Sequence, residues 1–353
     1  MDDRRCVLRG GQAARAAGAR RRKSYSLLAL VLGGAISCGE VGNSPPAVRA
    51  ASLNLLHGLF CPADTGRCRL EDRVDLFYEF VRERGCPEIV TWQEGTRPTR
   101  DLLRAQLATV CPQPYQLVIG DIETQLDDEI VLTSLPVLAV EQLRLYVNFR
   151  KVLLARLQHQ TGPVDVFSTH LASGSDGAGR PCGADCPAEC VAAGATNVRQ
   201  CQSVQVANWV AARHEGPNPA LVLGDFNDPP GSFVYRQFVG RGWPDAYLAA
   251  GNPECEPSSG LGCTSGRQDE NLSSLESPVN GETERIDFAF VVPAGPGAGC
   301  AGRIVPPHGA GDLLGTRLFA DQSNPFAPIC GPLPEAICWP SDHIGVQVEL
   351  GCG

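Results

Sequence analysis

Six apolar runs in this 353-residue chain carry, or stop at, a residue that a buried sheet does not accommodate. ASLNLLHG holds Asn54 in its middle, IVTWQEG ends in Gln93 and Glu94, and VFSTHLASG reaches His170. LVLGDFND turns at Asp225 and Asn227, RIDFAFVV opens around Asp287, and Asp342 and His343 stand before IGVQVEL. A carboxylate, amide or imidazole at the rim of a core costs free energy unless it is paired or bound to a cation. One such residue is ordinary: Asn54 alone reads as a strand-edge amide, and Asp225 to Asn227 alone as an Asx turn before Pro229 and Pro230. Six in one chain call for strand ends that converge on a shared site.

The runs are of strand length. Strands are expected at Val48 to Leu56, Ile89 to Gln93, Tyr115 to Ile119, Ile130 to Thr133 and Val137 to Leu145, and again at Val152 to Gln158, Val164 to Thr169, Ala220 to Leu223, Ile286 to Val292 and Ile344 to Leu350. Helices are expected over Arg69 to Arg84, Thr99 to Val110 and Thr196 to Arg213. Between 130 and 171 only turns separate the strands, so much of the sheet should be antiparallel. The pattern predicts an α/β fold of two sheets packed face to face with helices outside, in one domain over residues 48–353. Gly174 to Ala195 and Glu254 to Thr283 read as irregular loops beside strand ends, placed to shape a cleft.

The first residues read as targeting rather than fold. Arg20 to Lys23 are basic, a short apolar run follows, and Cys38 comes after small residues, which is the pattern of a lipoprotein-type signal over residues 1–37. Residues 38–47 then form a tether, with Cys38 as the lipid anchor to a membrane; export to a bacterial outer membrane or the extracellular space follows. Without residues 1–38 the chain keeps 22 basic against 37 acidic residues, a formal charge of −15. No basic run survives to grip a polyanion unaided, which disfavours avid nucleic-acid binding but leaves room for a nuclease whose field comes from a metal ion and a few arginines. Setting aside Cys6 and Cys38 leaves 14 cysteines, an even number that suits disulfides in an oxidising compartment. Cys61 with Cys68, Cys255 with Cys263 and Cys330 with Cys338 are near enough for local loops. Cys182, Cys186, Cys190 and Cys201 lack CxxC spacing and read as staples of a surface loop rather than as a zinc site.

Carboxylate and amide oxygens without a cysteine or paired-histidine signature favour Mg²⁺, with Mn²⁺ or Ca²⁺ as substitutes. Such an ion neutralises phosphate oxygens, while histidines move protons to and from water and a leaving oxygen. At this point the chain resembles the endonuclease/exonuclease/phosphatase superfamily, over nearly all of Val48 to Leu350. GDFN (Gly224 to Asn227) and SDH (Ser341 to His343) are the most specific motifs, and QE at 93–94, THL at 169–171 and RID at 285–287 follow in the family's order. The resemblance implies a four-layered α/β sandwich with its site at one edge of the paired sheets. It also implies Glu94 as the principal metal ligand, helped by Asn54 and Asp342, with Asp225 and Asn227 positioning phosphate and water. It makes His343 the general base or phosphate stabiliser with Asp287 fixing its tautomer, and His170 the general acid. A carboxylate partner for His170 is also expected, and Glu129 is the candidate.

The substrate is less constrained. Asp228-Pro229-Pro230 and Glu284-Arg285-Ile286-Asp287 differ from the inositol-polyphosphate phosphatases, and His170 stands where exonuclease III-like enzymes use tyrosine. What remains is a monomeric, exported phosphodiester hydrolase, acting on nucleic acid or on a phospholipid head group. A nuclease (endonuclease) leads, with a sphingomyelinase or phospholipase C-like enzyme or a sugar-phosphate phosphatase as alternatives. An inactive surface binding lipoprotein is the reading without catalysis.

Overall fold

Which layer each apolar run faces is decided by alternation along the strand. In the computed structural model the described residues are 47–56, 68–83, 85–120, 128–147, 149–267, 273–277, 281–298, 303–304, 317–318 and 337–352. All lie within the unit Ser44–Gly353. The expected signal segment over 1–37, Cys38 and the tether as far as residue 46 lie outside the described residues, as do Cys61 and Cys330.

The strands are β1 (Ala47–Asn54), β2 (Ile89–Gly95), β3 (Gln116–Val118), β4 (Asp128–Thr133), β5 (Val137–Arg144) and β6 (Lys151–His159), then β7 (Gly162–His170), β8 (Ala220–Asp225), β9 (Asp287–Val292), β10 (Arg303–Ile304), β11 (Arg317–Leu318) and β12 (Val346–Gly351). The helices are α1 (Leu70–Glu83), α2 (Arg97–Val110), α3 (Gly174–Gly177), α4 (Ala188–Ala192), α5 (Val198–Arg213), α6 (Phe233–Val239) and α7 (Ala246–Ala249). One sheet runs β10-β12-β1-β2-β4-β3 with β11 also on β12, and the other runs β5-β6-β7-β8-β9. Each sheet has one parallel pair near its middle, β1 with β2 and β7 with β8, and its other pairs are antiparallel.

Three apolar layers follow from the alternation. Val48, Ala50, Val131 and Val348 from the first sheet meet Leu153, Val166, Leu221, Leu223 and Val291 from the second, forming the core between the sheets. The opposite faces are covered by helices. Leu53, Val90, Trp92 and Leu132 pack under Val74, Phe77, Leu103 and Leu107 of α1 and α2. Val152, Leu154, Phe167, Val222 and Phe290 pack under Val206, Val210, Val234 and Phe238 of α5 and α6. This is the expected four-layered sandwich. Among the described residues, the two loops predicted to be irregular hold only short helices, α3 and α4 in the first and the 3₁₀ turn Ser273–Glu276 in the second.

Within that frame the cysteines pair as Cys86–Cys111, Cys182–Cys186, Cys190–Cys201 and Cys255–Cys263. Cys68, Cys338 and Cys352 are also disulfide-bonded. Cys190–Cys201 therefore staples α4 to α5, and Cys182–Cys186 closes a short loop before α4. The sulfurs here gather closely, Cys182, Cys186 and Cys201 within 4.8 Å, but they are already bonded to one another in pairs.

Candidate active site

A parallel pair puts two C-terminal strand ends side by side, and here both sheets do so at the same edge. In the first sheet Asn54 ends β1 opposite Gln93 of β2. In the second, His170 ends β7 opposite Asp225 of β8, which in turn faces Asp287 at the start of β9. Gly224 makes this possible. Its φ is +147°, and a Cβ there would lie 1.8 Å from the Thr169 carbonyl oxygen of β7, so the strands could not close on any other residue.

Asp225 is the centre. Its Oδ2 accepts from Asn54 Nδ2 at 3.0 Å and from Asn227 Nδ2 at 3.2 Å, lies 3.3 Å from His170 Nε2 and is 3.9 Å from His343 Nε2. Its Oδ1 accepts the Asn227 backbone N–H at 2.8 Å. Burial would raise the Asp225 pKa, but the two imidazoles and these donors outweigh it and hold the carboxyl far below its usual range. Asn54 also donates to Glu94 Oε1 at 3.1 Å, so one amide spans two carboxylates, while its Oδ1 accepts Leu56 N–H at 3.1 Å. Glu94 is raised by burial despite the nearby His170 and the Asn54 hydrogen bond.

The Nδ1 atoms of the two histidines face partners of opposite kind. His343 Nδ1 faces Asp287 Oδ2 at 2.9 Å and must donate to it, leaving Nε2 toward Asp225. Burial disfavours its charge, but Asp287, Asp342 and Asp225 together raise it well above the ordinary histidine value, while burial pushes Asp287 up to about 6. His170 Nδ1 lies 2.6 Å from Arg150 Nη1. A guanidinium only donates, so Nδ1 accepts and the ring proton sits on Nε2, toward Asp225. Glu129 is buried near enough to His170 to feel its charge, yet neither of its carboxylate oxygens accepts a hydrogen bond. The contact on Nδ1 is Arg150.

Asp342 enters through the loop before β12. Ser341 Oγ donates to Asn54 O at 2.6 Å and lies 3.0 Å from Asp342 Oδ1, and His343 N–H donates to Ser341 Oγ. The Asp342 charge acts on Glu94, His343 and Arg73. Gln93, by contrast, points between the sheets, bonding Ser52 and Ser168. All the residues expected at the site thus meet at one edge, and Gln93 becomes an inter-sheet link.

Three residues were missed by the sequence reading, Arg73, Arg199 and Gln202, and a fourth, Arg150, has a partner that the sequence does not show. Arg73 of α1 donates to the carbonyls of Leu55, Leu56, Cys68 and Pro340, tying the turn after β1 to the Ser341–His343 loop. Burial lowers its pKa to about 10 against the pull of Asp342 and Glu94. Arg199 of α5 bonds the carbonyls of Ala172 and Asn227, and Gln202 accepts Ala172 N–H and donates to Tyr146 O. Arg150, just before β6, has its pKa lowered by burial against the opposing charges of Glu94 and Asp225. Arg73, Arg199 and Gln202 are polar side chains on helices whose apolar face was the visible signal.

Oxygen donors of Glu94, Asp342 and Asn54 suit a hard divalent cation, and a buried carboxylate that burial pushes toward neutrality is what such a cation would correct. Asp225, Asp287 and His343 offer a second cluster within 4.8 Å, but its donors are already committed to one another as an acid–base chain.

A family model for the endonuclease/exonuclease/phosphatase family matches residues 130–343. The chain belongs to this family, whose members are generally metal-dependent phosphoesterases. Among solved structures it is similar to an endonuclease/exonuclease/phosphatase family protein of Bacteroides thetaiotaomicron, with 17% identity, TM-score 0.57, and coverage of 87% of this chain and 95% of that one. The corresponding protein of Bacteroides vulgatus gives 18%, 0.55, 86% and 98%. Truncated TDP2 of Caenorhabditis elegans gives 17%, 0.52, 86% and 97%. These likenesses establish the fold. No curated protein matches the chain.

Proposed function

We propose that this chain is an exported, Mg²⁺-dependent phosphodiester hydrolase acting on nucleic acid. The observation that carries catalysis is the convergence of Asn54, His170, Asn227 and His343 on a single oxygen of Asp225, drawn from both sheets. Glu94, Asp342 and Asn54 would hold the metal, which when bound neutralises phosphate oxygens and polarises phosphorus. Asp225 and Asn227 orient the attacking water. His343, its Nδ1–H fixed by Asp287, takes the water's proton at Nε2 in its neutral form. His170, whose proton sits on Nε2, gives it to the leaving oxygen. The opposite Nδ1 partners, a carboxylate for His343 and a guanidinium for His170, support this division of labour, which the sequence leaves open.

The disulfides support export to an oxidising compartment, and Cys38 as a lipid anchor belongs to the same reading. Arg150 beside His170 supports a phosphate-bearing substrate. The test is the purified protein with Mg²⁺ or with EDTA, against plasmid DNA, sphingomyelin vesicles and p-nitrophenyl phosphate in parallel. Mg²⁺-dependent nicking of the plasmid is expected. Hydrolysis of sphingomyelin alone would make the protein a phospholipase C-like enzyme, and no hydrolysis of any of the three would overturn catalysis.

A further inference from the structure

Phe149 is 63% exposed, and among the described aromatic residues it is the one left open to solvent. It lies in the turn between β5 and β6, next in sequence to Arg150, which touches His170. An exposed apolar ring beside a residue that touches the site is not needed for packing. Its backbone adds cost, because φ is +56°, a left-handed conformation that a bulky residue seldom adopts. Such outliers persist where the surroundings over-determine them.

The surroundings do so here. Leu145 N–H bonds the Arg150 carbonyl across the turn at 2.8 Å. Tyr146 N–H donates to Gln205 Oε1 at 2.7 Å, Gln202 Nε2 donates to Tyr146 O at 2.8 Å and to Val147 O at 3.3 Å, and Tyr146 OH meets Asp185 Oδ1 at 2.9 Å. The turn is thus bolted to α5 and to the disulfide-stapled loop. The Arg144 guanidinium sits over the Phe149 ring, 5.3 Å from its centroid. One face of the ring is backed by a cation while the residue stays open to solvent.

We infer that Phe149, backed by Arg144, is a stacking platform for a nucleobase next to the scissile phosphate, and so a substrate-binding residue. This rests on the nuclease reading above. A base stacks on any aromatic face without regard to its identity, and a guanidinium on the far side strengthens the ring as a partner. Phe149 is the sequence neighbour of Arg150, so a phosphate that meets Arg150 leaves its own or its neighbouring base on the side of the molecule where the exposed ring stands. A lone ring flanked by two arginines offers too little apolar area to anchor in lipid, which disfavours a membrane contact.

The test compares wild type, Phe149→Ala and Phe149→Trp on a single-stranded oligonucleotide with Mg²⁺, with circular dichroism to confirm the fold. Phe149→Ala should raise KM by about tenfold while changing kcat little, and Phe149→Trp should restore the wild-type KM. With the metal removed by EDTA, binding of the oligonucleotide should quench the extra emission of Phe149→Trp relative to wild type. An unchanged KM in Phe149→Ala, or a fall in kcat alone, would overturn the platform while leaving the nuclease reading intact. Loss of sphingomyelin-vesicle turnover in Phe149→Ala, with oligonucleotide kinetics unchanged, would assign the ring to lipid instead. An oligonucleotide that wild type does not cleave would overturn the nuclease reading, and the inference with it.

Discussion

One oxygen of Asp225 serves four neighbours, so removing its charge without changing its shape is the sharpest residue-scale test. Asp225→Asn should lower kcat by at least 100-fold with the far-UV circular dichroism unchanged, because water orientation and the placement of both imidazoles depend on that anion. For the metal, Mg²⁺ should raise the melting temperature of wild type and do so much less in Glu94→Gln, since a ligand that binds only the folded state stabilises it. Equal shifts in the two proteins would move the ion away from Glu94. His343→Ala should abolish turnover yet keep the Mg²⁺ response. Substantial residual turnover would pass the base role to another group.

At the scale of elements, Gly224 is the residue on which the central strands of the second sheet depend. Gly224→Ala should destabilise the protein by about 3 kcal/mol or more in urea unfolding, because the added methyl meets backbone rather than a side chain that could move. The elements were largely legible. All ten expected strands form, each within a few residues of its expected ends, because a four- to nine-residue apolar run with a turn on either side has few other uses. β10 and β11 were invisible because two residues carry no period, and α6 because FVYRQFV is too short and too apolar to show a helical face. At the site, the strand-end residues betrayed themselves by being polar where burial was expected. Arg73, Arg199 and Gln202 did not, because a polar residue in a helix reads as solvent-facing unless the fold shows what lies against it. Arg199 is the instructive case: buried within α5, it spends its donors on the loops after β7 and β8, which no spacing rule reveals.

Across the whole molecule, the layers are joined by charge as well as by apolar contact. Asp128 of β4 accepts from Arg100 of α2 at 2.5 Å and from Lys151 of β6 at 2.5 Å, linking a helix and both sheets. Glu129 lies beside this chain, 3.8 Å from Lys151, and burial pushes its pKa up to about 8 against the opposing pull of Lys151 and His170. A carboxyl that holds its proton more tightly in the folded state costs stability as pH rises from its unfolded value near 4.5 through about 8. Stability should therefore fall across that window, and Glu129→Gln should flatten the fall when urea midpoints are compared at pH 5 and pH 8. A variant that kept the wild-type slope would assign the proton to a different group.

Glu94 has φ +58° and Leu56, just after β1, has φ +51°, so the chain holds two non-glycine residues in left-handed backbone beside the expected cation. Glycine at either position would relax the backbone. A library selected for heat resistance alone should accordingly enrich Glu94→Gly, which sheds the torsional load together with the carboxylate. On the proposed function, laboratory evolution of this protein would thus need turnover in its screen, or it would return a sturdier and silent protein.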